Sequence, residues 1–102
     1  MAKLADTVTL KVETDGEYTG GSVNYYKIRV KHPASGGDEY DAECLDIIES
    51  LDMSFNEGEA FKAIWRLAAA RLGKKKRGHE AIYDGEKAEF YSKRILARLR
   101  NG

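Results

Sequence analysis

The sequence predicts an α+β fold, with an N-terminal antiparallel β-hairpin or small sheet followed by three helices. Three observations predict it. Residues 7–31 alternate apolar and polar side chains around an Asp15-Gly16 pair, the signature of strands joined by a tight turn. Residues 41–100 change to helical spacing, in runs broken at Asp52-Met53 and again by a basic segment that follows Gly73. At 102 residues the chain is expected to form a single domain, 1–102, with its β-hairpin region at 7–31, its helical region at 41–100 and a core of modest size.

In Thr7 to Thr14, Val8, Leu10 and Val12 face one way and Thr7, Thr9 and Lys11 the other, as in a half-buried strand. Glu17-Tyr18-Thr19 returns from the Asp15-Gly16 turn, and Gly20-Gly21 interrupts the return. Ser22 to Lys31 reads as a second long strand carrying Val23, Tyr25, Tyr26, Ile28 and Val30. Pro33 has no amide proton for a ladder, so pairing is expected to stop near it, with 34–38 as a surface loop. Asp41 to Leu51 reads as a short helix with Cys44, Ile47, Ile48 and Leu51 on one face and Asp38 or Asp41 at its cap.

Ser54 to Gly73 is the strongest helical signal. Ser54 and Glu57 have capping-box spacing, and Gly73 suits a left-handed C-terminal cap. Phe61, Ile64, Trp65, Ala68 and Leu72 form the expected apolar stripe, with Lys62 and Arg66 one turn apart beside it. Lys74 to Glu80 is too charged to bury. Ala81-Ile82-Tyr83 is expected to dock on the core, and Asp84 to cap a third helix. In that helix Ala88, Tyr91, Ser92, Ile95 and Leu99 share a face, with Phe90 and Leu96 beside it.

Charge divides the chain. Residues 1–53 hold 5 Lys/Arg against 11 Asp/Glu, and residues 54–102 hold 12 against 6, although the whole is neutral. Seven acids and no base lie within 38–52, and seven bases and no acid within 62–77. Such halves suit charged partners or each other, so a homo-oligomer, most simply a dimer, is expected. No signal-peptide pattern follows Met1, no run is long and apolar enough to span a bilayer, and the lone Cys44 rules out an internal disulfide. Cys44 lies on an apolar stripe, where a buried thiol is expected. The expected protein is soluble and cytoplasmic.

The residues of Ser54 to Gly73 also carry a resemblance. Gly58-Glu59-Ala60-Phe61-Lys62-Ala63-Ile64-Trp65-Arg66 resembles the G-N-A-I-K-Y-x-W-R signature of the SaV-like family of small phage and prophage proteins. Glu43 to Glu49 is similar to that family's I-E-V-I-D-x-I-E helix, Glu86 to Tyr91 to its D-L-x-K-A-x-W-Y helix, and Val30-Lys31-His32-Pro33 to its V-N-H-P segment. The order and spacing agree over about residues 30–99. The chain departs in two places. Glu39-Tyr40 stands where the family has His-Tyr, after an inserted Ala-Ser-Gly-Gly-Asp, and Glu59 stands where it has Asn. The resemblance implies a phage origin, a host-cytoplasm location and, in some members, nucleotide-kinase activity.

No P-loop, nucleophile elbow, Cys-x-x-Cys or His pair at metal spacing occurs, so neither a metal nor a cofactor is expected, and enzyme activity is not the favoured reading. The favoured function is macromolecular binding by a phage accessory protein that inhibits a host system such as a defence complex, as an anti-CRISPR does. A host protein or protein–nucleic-acid complex would meet Asp38, Glu39, Glu43, Asp46 and Glu49. Two alternatives stand beside it. A nucleotide-binding protein or kinase would use Gly58 at a helix start with Lys62 and Arg66, helped by Lys74, Lys75, Lys76 and Arg77. A nucleic-acid-binding module would use the basic loop 74–77. A metal-dependent hydrolase would require Glu43, Asp46, Glu49, Glu86 and Glu89 to converge.

Overall fold

A computed structural model describes residues 24–73 and 80–102. A 3-10 turn, Asn24–Tyr26, leads into β1, Lys27–Val30, which pairs antiparallel with β2, Tyr40–Glu43. Three helices follow: α1, Cys44–Ser50; α2, Phe55–Arg71; and α3, Ala81–Asn101. The described fold is therefore α+β, a two-stranded antiparallel sheet followed by three helices.

The strands differ in place from the expected hairpin. The Asp15-Gly16 turn and the strand around Thr7 to Thr14 lie outside the described residues. The described pairing brings Ile28 opposite Ala42, with Lys27 opposite Glu43 and Arg29 opposite Asp41 on the other face. Tyr40 to Glu43, whose last three residues were expected to be helical, are extended because their alternation suits a strand. Ala42 turns inward, while Asp41 pairs with Arg29 across the ladder and Glu43 stands opposite Lys27. Pairing stops at Val30, and a turn closed by Gly36 N–H donating to the Pro33 carbonyl at 2.9 Å follows, as proline demands.

α1 is consequently shorter than expected, and no side chain caps its start; Glu43 occupies that position, not Asp38 or Asp41. Its end is a Schellman turn. Asp52 N–H donates to the Glu49 carbonyl and Met53 N–H to the Ile48 carbonyl, each at 3.0 Å, with Asp52 at φ 52°. α2 begins as expected. Glu57 N–H donates to Ser54 Oγ at 3.2 Å, and Ser54 N–H donates to Glu57 Oε1 at 2.9 Å. It ends with Gly73 at φ 85°, a conformation that favours glycine.

The largest packing surface joins α2 to α3. The two run antiparallel, since Arg66 meets Asp84 near one end and Phe55 meets Tyr91 further along. The buried face of α2 is Gly58, Ala60, Ala63, Arg66 and Ala69. This rotates the expected stripe. Ile64 and Leu72 are exposed, and Phe61, Trp65 and Ala68 are half-buried. Small side chains line the seam and leave room for a buried guanidinium. On α1, Cys44 is buried as expected and Ile47 and Ile48 are half-buried, but Leu51 is exposed. Among the described residues the fully buried apolar side chains are Cys44, Ala60, Ala63 and Ala69.

Candidate functional site

The chemistry-bearing side chains fall into three groups. The first lies between α2 and α3. Arg66 is 8% exposed and Asp84 0%. Arg66 Nε donates to Asp84 Oδ1 at 3.0 Å, and Arg66 Nη1 donates to the Tyr26 hydroxyl at 2.8 Å. Burial alone would push the guanidinium pKa down, but Tyr26 and Asp84 outweigh it and hold it above its ordinary value. One position earlier, Trp65 Nε1 donates to the Tyr25 carbonyl at 2.8 Å. Adjacent side chains of α2 thus clasp adjacent residues of the 3-10 turn, while Asp84 ties α3 to the same guanidinium.

Two expectations about α3 are corrected by its start. Asp84 does not cap α3. The helix already starts at Ala81, so Asp84 lies one turn inside, aimed at α2, while Ile82 and Tyr83 are exposed. Arg66, expected beside the stripe, has its guanidinium buried against the Asp84 carboxylate and the Tyr26 phenol. The Gly58 N–H donates to the Ser54 carbonyl at 2.9 Å inside the first turn of α2.

The second group is lysine-rich. Glu59 lies between Lys62 Nζ at 3.7 Å and Lys87 Nζ at 3.5 Å. Lys87 also sits 5.4 Å from the Tyr83 ring centroid and 6.0 Å from that of Tyr91. Lys62 is therefore half-buried and shares a carboxylate with a second lysine, in place of pairing with Arg66 around a ligand. Of the four cations Lys74, Lys75, Lys76 and Arg77, all lie outside the described residues.

The third group is acidic. Glu39 and Asp41 both accept from Arg29, at 3.1 and 3.3 Å, and Glu43 stands across the ladder from Lys27. Beyond them, Asp38, Asp46, Glu49 and Asp52 are exposed and make no ion pair among the described residues. Asp46 and Glu49 share the outward face of α1 with Leu45, 58% exposed, and Leu51 lies exposed beyond the helix end. The five expected partner residues thus divide: Asp38, Asp46 and Glu49 are free among the described residues, whereas Glu39 and Glu43 face cations. No group of three or more His, Cys, Asp or Glu could hold a metal among the described residues, and Glu86 and Glu89 stand on α3. Cys44 is buried, and burial raises its thiol pKa, so it is held as an unreactive thiol. No described helix is long and apolar enough to cross a membrane.

Sequence reasoning missed the Tyr26–Arg66–Asp84 network. The available signal was an arginine on the helix with the strongest capping signals and an aspartate within the next helical run. Neither residue type announces burial by itself. Gly58 lies at the α1 seam, Trp65 reaches Tyr25, and Arg66 reaches Asp84 and Tyr26. No family model matches the chain, and no curated protein or solved structure does.

Proposed function

We propose that the chain is a non-catalytic phage accessory protein that binds a basic host macromolecule through α1, acting in the host cytoplasm to inhibit a system such as a defence complex. One observation carries the reading. Asp46, Glu49 and Asp52 present exposed carboxylates with no ion-pair partner among the described residues, beside exposed Leu45 and Leu51. Uncompensated charge attracts a cationic surface, and adjacent leucines supply apolar contact once it arrives. The nucleotide reading draws less support, because Arg66 is committed to Asp84 and Lys62 to Glu59.

The test is capture from host lysate beside calorimetric titration with nucleoside triphosphates, all at one ionic strength. Asp46→Lys with Glu49→Lys is expected to abolish capture while the far-UV spectrum is unchanged. Lys74→Ala, Lys75→Ala and Lys76→Ala together are expected to leave capture in place. Heat on nucleotide addition, lost in the lysine variant, would replace this reading with the nucleotide one.

A further inference from the structure

We infer that α3 is a self-complementary helix and that two copies of the chain pair through it, antiparallel, about Ser92. The inference is independent of which partner α1 meets.

Ala81, Gly85, Ala88, Ser92, Ile95 and Leu99 follow one another at intervals of four, three, four, three and four residues. That spacing makes one seam along a helix, suited to a second helix. It borders the face that α2 covers, which carries the buried Asp84 and half-buried Tyr91, and the seam's own Ala88 and Ile95 are half-buried. Along the seam Ala81, Gly85, Ser92 and Leu99 are exposed, and Leu99 is 75% exposed. Leu96 beside it is 45% exposed. A Cβ added at Gly85 would meet nothing within 4 Å.

The seam is polarised in size: small in its first half, large in its second. Antiparallel pairing about Ser92 sets Leu99 of one copy against Gly85 of the other and Leu96 against Ala88. Large side chains thereby enter the space beside small ones, as helix packing requires.

Charge is polarised the same way, which commits the occupant to a second copy. Glu86, Glu89, Lys93 and Arg100 form one ridge beside the seam. In an antiparallel pair like ridges meet, so Glu86 faces the partner's Arg100 and Glu89 the partner's Lys93. Now Lys93 reaches only its own Glu89, at 3.4 Å with both side chains largely exposed, and Arg100 has no ion pair among the described residues. Each contact occurs twice about the two-fold axis, which closes the assembly at a dimer. This pairing is not the one suggested by the acidic and basic halves of the sequence, since α3 supplies both signs. The small area of one helix pair places the expected dissociation constant at about 1–100 µM.

The experiment uses the full chain. Sedimentation equilibrium is expected to show a shift from 11.4 kDa to twice that mass with concentration. Ser92→Cys, at the axis, is expected to cross-link through a short bismaleimide in high yield, and Ala97→Cys, on the opposite side of α3, is not. Both positions are exposed, so neither variant disturbs the fold. Glu86→Arg or Arg100→Glu alone should weaken the dimer about tenfold, and the two together should restore it to within about threefold. A mass of 11.4 kDa up to about 200 µM at low salt overturns the inference. A dimer that cross-links equally well from Ala97→Cys also overturns it.

Discussion

The chain uses charge in two opposite ways. Between α2 and α3, Arg66 and Asp84 are almost wholly withdrawn from solvent and satisfied by each other and by Tyr26. On α1, Asp46 and Glu49 stand in water with no counter-ion among the described residues. A buried pair tolerates no loss of one member, because the survivor keeps its desolvation cost without its partner. An exposed carboxylate tolerates replacement by almost anything, because water solvates it either way. Charge that the fold requires is thus separated from charge that the fold leaves free, and only the second kind is available to a partner.

The sharpest way to break this contrast is at Asp84. Asp84→Ala or Arg66→Ala is expected to cost about 3–5 kcal/mol, measured by urea denaturation. Arg66→Met with Asp84→Leu should cost clearly less than either single change, since neither member of the pair is left buried without the other. If either single variant loses under about 1 kcal/mol, the pair is not a structural element.

Trp65→Ala tests the neighbouring clasp. Trp65 is half-buried, so roughly 2–3 kcal/mol is expected, below the range for fully buried tryptophan, and Trp65→Phe should retain all but the lost bond to Tyr25. Tyr26→Phe removes a hydroxyl bonded to a guanidinium and should cost about 1.5 kcal/mol.

The smaller effects run the other way. Gly58→Ala brings its new methyl 3.6 Å from Ile48 Cγ2, an ordinary contact, at a helical position where alanine is preferred. A gain of about 0.5–1 kcal/mol is expected, seen as a higher denaturation midpoint. A loss would mean that a glycine is required at the α1–α2 seam. Asp46→Lys with Glu49→Lys should shift stability by no more than about 0.5 kcal/mol, and a large shift would move these acids from the second class of charge to the first.

The parts of the fold legible in sequence are those written in local chemistry. The α2 cap is two side chains three residues apart, and the Gly73 turn is one residue's φ preference. The arrest of pairing before Pro33 is a missing proton. The illegible parts depend on partners far along the chain. Ile64 and Leu72 look like core and Ala60, Ala63 and Ala69 like filler, yet the seam with α3 selects the alanines. Asp41 to Glu43 carry acids suited to a helix start, but the cations opposite them on β1 make them a strand. At the candidate site, the solvent-facing Asp46 and Glu49 were readable from helical periodicity alone. The burial of Arg66 was not, because its carboxylate lies 18 positions away and its phenol 40.

Trp65 is the sole tryptophan, and its indole N–H reaches across 40 residues to the Tyr25 carbonyl. The chain therefore carries an intrinsic fluorophore at the point where α2 meets the 3-10 turn. Contacts between α2 and α3 close a short loop, whereas the clasp on Tyr25 and Tyr26 closes a long one and carries the greater entropic cost. In a stopped-flow refolding experiment, circular dichroism at 222 nm follows the helices, and indole emission follows arrival of the 25–26 segment. Helix formation is expected to precede the emission change, which makes this one side chain a clock for the last step of assembly.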